Sequence, residues 1–241
     1  MLRLSIVLLL ASGLGLGAAA RAAEVLVGPF SSSRPDGAFP PGWRIARLPG
    51  VTPTRFSLTE LDGSTVVQMD AADAGASLYR PVRVDPTRTP VLRWRWRVGN
   101  LIQGADLRRK SGDDLPVRLY VMFDYDLERL SLVDRAKILL ARSVAGEAVP
   151  AAALCYVWDG DLPEGTALWN AYTDRVWMIV SESGPGRVGQ WVTEERDVAA
   201  DFRAAFGEEP PPISGVAIAA DTDQTGATVR AWVGDIRFAD R

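Results

Sequence analysis

The run Val91-Leu92-Arg93-Trp94-Arg95-Trp96-Arg97-Val98 carries the residues with the clearest chemical use. It alternates strictly, which is a strand period. Leu92, Trp94, Trp96 and Val98 fall on one face, and Arg93, Arg95 and Arg97 on the other. Side chains two residues apart on a strand lie only ~7 Å apart, so three arginines in a row need strand acids, water or an anionic ligand. Arginine forks take carboxylate or sulfate through two parallel hydrogen bonds. The mixture of arginine and aromatic residues at one parity recurs in Arg118/Tyr120/Met122, Tyr156/Trp158, Arg175/Trp177 and Arg230/Trp232. An ordinary solvated sheet face carries Thr, Ser, Lys and Glu instead. Aromatic rings stack on the apolar faces of sugars. Arg93, Arg95, Arg118, Tyr120, Tyr156, Trp158, Arg175, Trp177, Arg230 and Trp232 are therefore expected to share one face that binds an anionic carbohydrate. The plain alternative pairs these arginines with Glu194, Asp124 and other strand acids, and lays a helix over the aromatics.

Two acidic loops invite a metal reading. Asp113 and Asp114 precede a strand, and Asp221, Asp223 and Thr225 form a tight loop. Carboxylates two apart beside a hydroxyl can ligate calcium, so Asp221 and Asp223 are the candidates for a structural calcium ion. The alternative is turn chemistry, in which Asp side chains bond nearby backbone N–H groups and Asp114 pairs with Arg118. There is no histidine, which removes the commonest general base and the commonest transition-metal ligand. No cofactor is expected, and no Gly-x-Ser-x-Gly, Walker or Rossmann pattern occurs. An enzymatic alternative is a polysaccharide lyase with Tyr120 or Tyr156 as base and Arg118 or Arg93 neutralising a uronate carboxylate. A third reading is a structural or assembly partner whose face binds another envelope protein. Cys155 sits in an apolar strand parity and reads as a buried, inert thiol.

The elements that position these residues are mostly strands. Strand patterns cover 24–30, 43–47, 54–61, 65–70, 76–84, 91–98, 117–125, 154–159, 175–181, 191–198 and 214–221. Residues 227–238 close the chain in a hairpin with 214–221 around Asp223-Gln224-Thr225-Gly226. Asp62-Gly63 is a tight turn between two strands. Residues 127–144 follow a helical period capped by Ser131, and 199–206 form a short helix stopped by Gly207. Turns every eight to twelve residues predict a single β-sandwich of jelly-roll type over 23–241, with an inserted amphipathic helix packed on it and a short C-terminal helix. The core is expected to hold Trp94 and Trp96 with Leu119/Val121/Phe123, Cys155/Val157, Val176/Met178/Val180, Val216/Ile218/Ala220 and Val229/Ala231/Val233.

Residues 1–22 read as a signal peptide. Arg3 is the positive start, 4–17 is apolar but too short to span a bilayer, and Ala20-Arg21-Ala22 suits cleavage. The expected location is periplasmic or secreted. Cleavage after Ala22 leaves 25 basic and 30 acidic residues, a net charge of −5, which gives no reason to expect nucleic acid. No later stretch is apolar enough to span a membrane. With one cysteine no internal disulfide can form, so the core alone holds the fold.

A chain of motifs then resembles a known family. They are Pro90-Val91-Leu92-Arg93-Trp94-Arg95-Trp96, Gly112-Asp113-Asp114 followed by Arg118-Leu119-Tyr120-Val121-Met122-Phe123, and Tyr156-Val157-Trp158. Gly189-Gln190-Trp191, Glu195-Arg196-Asp197-Val198, Asp221-Thr222-Asp223-Gln224-Thr225 and Gly234-Asp235-Ile236 complete the set. Together they resemble the secreted bacterial family catalogued as domain of unknown function 3047. The family usually has Asn where Asp197 and Gln224 stand, and a longer Thr-Asp-Thr-Asp run where Ala220 stands. The resemblance implies no established activity. Its closing Gly-Asp-Ile strand is similar to the last strand of galactose-binding-type jelly rolls and carbohydrate-binding modules, a likeness of fold that does not fix function.

Overall fold

The computed structural model describes residues 23–145 and 149–241; the expected signal segment, 1–22, lies outside them. Two seven-stranded sheets face each other. The front sheet holds β1 (Glu24–Gly28), β3 (Arg55–Leu61), β4 (Ser64–Ala72), β6 (Val91–Val98), β11 (Val192–Asp197), β13 (Thr228–Val233) and β14 (Ile236–Ala239). The back sheet runs β2 (Arg44–Arg47), β5 (Gly75–Val84), β12 (Ile213–Asp221), β7 (Leu115–Phe123), β8 (Ala153–Asp159), β10 (Thr173–Ser183), β9 (Ala167–Asn170). Successive strands alternate between sheets from β4 to β7 and again from β11 to β13, giving the expected jelly-roll-like sandwich. No helix among the described residues is long and apolar enough to cross a membrane.

In the front sheet, β6 lies between edge strand β11 and a strand built from β13 and β14 together. Val233 pairs with Trp96 and Arg237 with Arg93, so one extra residue is inserted at Gly234-Asp235. This bulge lets β13 pair onward with β4 and β14 with β1. Glycine is needed there, because a Cβ on Gly234 would come within 2.6 Å of Arg95 Nε.

The Asp62-Gly63 turn is as expected, with φ of 52° and 76°. The closing hairpin is not. β12 pairs with β5 and β7 in the back sheet, while β13 pairs with β4 and β6 in the front sheet. Both strands carry an apolar inner face, and each buries it from its own side of the core. Thr222, fully buried, anchors the corner by accepting from Ala74 N at 3.1 Å. The short strand β9 also escapes the sequence pattern, since only four residues at the sheet edge take part.

Helix α2 (Val198–Phe206) ends at Gly207 as expected and gains an N-cap that the sequence reading did not name. Asp197 Oδ1 accepts from Ala200 N at 2.9 Å, and Gly207 ends it at φ 71°. Helix α1 (Leu132–Ala145) has its Ser131 cap, whose Oγ accepts from Asp134 N at 3.1 Å. It does not pack on the sandwich as expected. Ile138 is buried, but Leu132, Val133, Leu139 and Leu140 are 84, 63, 49 and 68% exposed.

The core lies between the sheets around Trp94 and Trp96. These rings meet edge-on at 5.2 Å, and Trp94 meets Tyr156 at 5.2 Å. The sets from β7, β12 and β13 join them. The sets from β8 and β10 do not. Cys155, Val157, Val176, Met178 and Val180 lie in a second apolar cluster with Leu107 and Leu115, and Tyr156 and Trp158 take the core-facing positions. The loop before β7 covers the outer surface of the back sheet and buries Leu107 fully. A strand buried on both faces is apolar at both parities, so its pattern does not say which parity faces the partner sheet.

Candidate functional site

The ten residues expected on one face occupy four places. Arg93, Arg95, Arg230 and Trp232 stand on the outer face of the front sheet, on adjacent strands. Arg118 and Tyr120 stand on the covered outer face of the back sheet. Tyr156 and Trp158 are in the core at 0% exposure. Arg175 and Trp177 lie by α2, where Arg175 stacks over Tyr125 at 5.0 Å and Phe206 at 5.4 Å, and Trp177 meets Trp169 edge-on at 4.6 Å. The shared face is thus corrected, for the reason that misled the parity of β8 and β10.

The core pair is satisfied internally. Tyr156 donates its hydroxyl proton to Asp201 Oδ2 at 2.8 Å, and Arg196 grips the same carboxylate at 2.7 and 3.0 Å. Trp158 Nε1 donates to the Gly184 carbonyl at 3.2 Å.

Arg118 is 2% exposed and has no room for a ligand. Its Nε donates to Asp221 at 2.9 Å, a second nitrogen reaches Asp221 at 2.6 Å, and a third reaches Asp113 at 3.0 Å. Burial opposes its charge, but Asp221, Tyr120 and Asp113 outweigh that and raise its pKa well above the usual arginine value. Burial also pushes the Asp221 carboxyl up to about 7, against the pull of Arg118 and with the repulsion of Asp113 and Asp114. Asp114 holds the 222–226 loop, accepting from Thr225 N at 2.7 Å and Thr225 Oγ1 at 2.6 Å. It is fully buried, and it does not pair with Arg118. Asp114, Asp221 and Asp223 each offer an oxygen within 4.8 Å of the others, the spacing a hard cation would need. Asp114 thus joins the two residues that the sequence nominated.

The front-sheet face is open. Thr193 lies opposite Arg95 and Glu195 opposite Arg93 across the β6–β11 pair. Arg93 Nε donates to Glu195 Oε2 at 2.7 Å, whereas Glu194, one residue along, points inward. The expected partnership with Glu194 therefore moves by one residue, as the pleat requires. Arg97 donates to Asp62 at 3.2 Å and lies over Trp232 at 5.4 Å. Trp232 Nε1 donates to Gln68 at 3.0 Å. Arg230, Arg55 and Gln68 converge on Asp70; burial opposes that charge, but their hydrogen bonds hold its pKa below the usual carboxylate range.

Arg95 differs. Its guanidinium lies over Trp191 at 4.6 Å, and it has no carboxylate partner among the described residues. Trp191 is itself fixed by its Nε1 donating to Asp62 at 2.9 Å. Arg95 borders a groove of about 380 Å³ whose other charged residues are Arg93, Arg237, Glu194, Glu195 and Asp235. A second groove of about 670 Å³ runs past Arg230, Trp232, Arg55 and Asn100. Sequence reasoning missed Trp191 and Asp62. Trp191 has the outward parity of Thr193 and Glu195, but only the pairing of β11 with β6 makes that parity meaningful.

A family model described as protein of unknown function (DUF3047) matches residues 41–237. No curated protein matches the chain. Among solved structures, the family 11 carbohydrate-binding module of a cellulosomal cellulase of Clostridium thermocellum is similar, with 7% identity, TM-score 0.43, and 92% of this chain and 97% of that one covered. So is a thermostable cellulase derived from Cel12A of Rhodothermus marinus, with 13% identity, TM-score 0.42, and 89% and 100% covered. Endoglucanase 3 of Trichoderma harzianum, from family GH12, follows with 9% identity, TM-score 0.41, and 92% and 99% covered.

Proposed function

We propose, for a chain that belongs to the family of unknown function DUF3047, that the outer face of the front sheet binds an anionic carbohydrate without transforming it. The observation that carries this reading is Arg95. It is the β6 arginine of that face without a carboxylate partner among the described residues, held over Trp191 beside an open groove. An arginine fixed by stacking, with its N–H fork uncommitted, is prepared for a two-point bond to a carboxylate or sulfate. Arg93 is paired with Glu195 and Arg237 with Glu24, and Glu194, Glu195 and Asp235 also line the groove, so the anion subsite rests on Arg95. The lyase reading fits less well. Burial raises the pKa of Tyr120 and of Tyr156 well above the ordinary phenol value, and Tyr156 is sealed in the core. Neither suits a base at neutral pH.

The test is calorimetric titration with polygalacturonate and with a neutral β-glucan. Polygalacturonate should bind, less tightly as salt is raised, and Arg95→Ala should weaken it by about tenfold or more while thermal unfolding stays unchanged. Equal affinity for the neutral glucan, or an Arg95→Ala variant that binds as well as the parent, would rule the reading out. New absorbance from unsaturated uronates would favour the lyase instead.

A further inference from the structure

Another cavity, of about 440 Å³, opens at the seam between the sheets, where edge strand β11 faces β10, and shares Glu194 and Glu195 with the Arg95 groove. Glu164, Ser181, Glu194, Glu195 and Arg196 line it. Two of these are committed elsewhere. Glu195 accepts from Arg93, and Arg196 is bidentate to Asp201. The other three are not. The pairing of β10 with β8 slips between Val180 and Glu182, which leaves Ser181 as the bulged residue. Ser181 is 4% exposed, and its hydroxyl is buried with no hydrogen-bond partner among the described residues. Buried hydroxyls are nearly always paired, so this one points to a ligand. Glu194 has one oxygen accepting from Trp96 Nε1 at 3.1 Å, and the other makes no hydrogen bond among the described residues. Glu164 is exposed and likewise has no hydrogen bond or ion pair among them. Glu182, nearby on β10, is neutralised by Arg187.

We propose that this seam cavity binds a protonated primary amine, held by Glu194, Glu164 and the Ser181 hydroxyl. An ammonium group presents three donors and no acceptor, and the cavity presents three uncommitted groups that all accept. Two carboxylates exclude an anion. Glu194 also borders the Arg95 groove, but its side chain faces the opposite way from Arg93 and Arg95 on the adjoining strand, so Arg95→Ala should leave amine binding unchanged.

The charges around Glu194 give the binding a pH signature. Burial pushes its carboxyl up to about 7; the Trp96 N–H and Arg187 lower it, and Glu182 and Glu164 raise it. An entering cation stabilises the ionised form, so below pH 7 binding must expel a proton. Affinity should then rise with pH, approaching tenfold per unit well below 7 and flattening near it.

The experiment is calorimetric titration of the protein with glucosamine, 1,5-diaminopentane and N-acetylglucosamine at pH 5.0, 6.0 and 7.0. At least one amine should bind, N-acetylglucosamine should not, and affinity should rise about tenfold from pH 5.0 to 6.0 with a smaller gain to 7.0. Glucosamine alone would identify an amino sugar, diaminopentane alone an alkyl amine, and both the ammonium group itself. Glu194→Gln keeps an acceptor for Trp96, and should lose about tenfold or more in affinity together with the pH slope. Ser181→Ala and Glu164→Gln should each weaken binding by about fivefold. Glu164 is exposed, so its variant tests the site even if Glu194→Gln fails to fold. Absence of amine binding up to 10-millimolar ligand, on the order of the weakest sites worth considering, would overturn the proposal. So would equal affinity for N-acetylglucosamine, or parental affinity in both glutamate variants.

Discussion

Arg95 on the front sheet and Arg118 on the back sheet hold similar places in their strands. Each stands at mid-strand, beside aromatic or long apolar neighbours, with its side chain directed away from the sandwich core. Arg118 is sealed and matched by Asp113 and Asp221, whereas Arg95 lies beside an open groove over Trp191. The difference is in what covers the sheet. The loop before β7 folds over the back sheet and brings Asp113 and Leu107 onto it. No comparable segment among the described residues covers the outer face of β6. One residue type thus serves as an internal counter-ion in one place and, on our proposal, as a ligand group in the other.

Breaking the sealed side should have the largest effect. Arg118→Ala leaves Asp113 and Asp221 buried without their cation and should cost about 3–5 kcal/mol of stability in urea unfolding. Arg95→Ala should change stability by less than about 0.5 kcal/mol. A milder loss at Arg118 than at Arg95 would reverse the comparison.

The tryptophans sharpen it further. Trp158→Ala opens a cavity against Trp96, 6.4 Å away, and should cost about 3–5 kcal/mol. Trp232→Ala on the open face should cost roughly 1 kcal/mol or less, because that ring is only partly buried and lies beneath Arg97. Similar midpoints for the two variants would mean that the open face is also structural.

A smaller effect is expected from pH. The Glu194 carboxyl is raised in the folded state, so the folded protein holds its proton more tightly than the unfolded chain. Stability from this group is therefore greatest below pH 4.5 and falls as pH rises towards 7. Glu194→Gln should flatten that part of the profile and gain about 1 kcal/mol at pH 8, an amount discounted for partial exposure. A parental slope in the variant would place the titration elsewhere.

The smallest effect concerns the acidic corner. We propose a weak calcium site at Asp114, Asp221 and Asp223. With a dissociation constant on the order of 1 mM, 5 mM calcium would add about 1 kcal/mol, or a rise of roughly 2–4 °C in melting temperature. Asp223→Asn should remove that rise. No rise in the parent would leave the corner to turn chemistry and Arg118 alone.

The sequence by itself determined the β-sandwich, most strand positions, the Asp62-Gly63 turn, the Ser131 and Gly207 caps and the burial of Trp94 and Trp96. Each of these depends on local periodicity or local chemistry, and β6 is legible because water lies on one side and core on the other. The outward positions of Arg93 and Arg95 on β6, and of Arg230 and Trp232 on β13, came from the same alternation. Only the tertiary structure decided that Tyr156 and Trp158 face inward, that β12 and β13 part company at Thr222, and that Arg118 is sealed. It also brought Trp191 to Arg95 and placed Glu194 across from Ser181. These outcomes depend on which strands become neighbours and which faces a distant loop covers. Alternation along one strand separates its two faces, but it cannot say what lies beyond either of them.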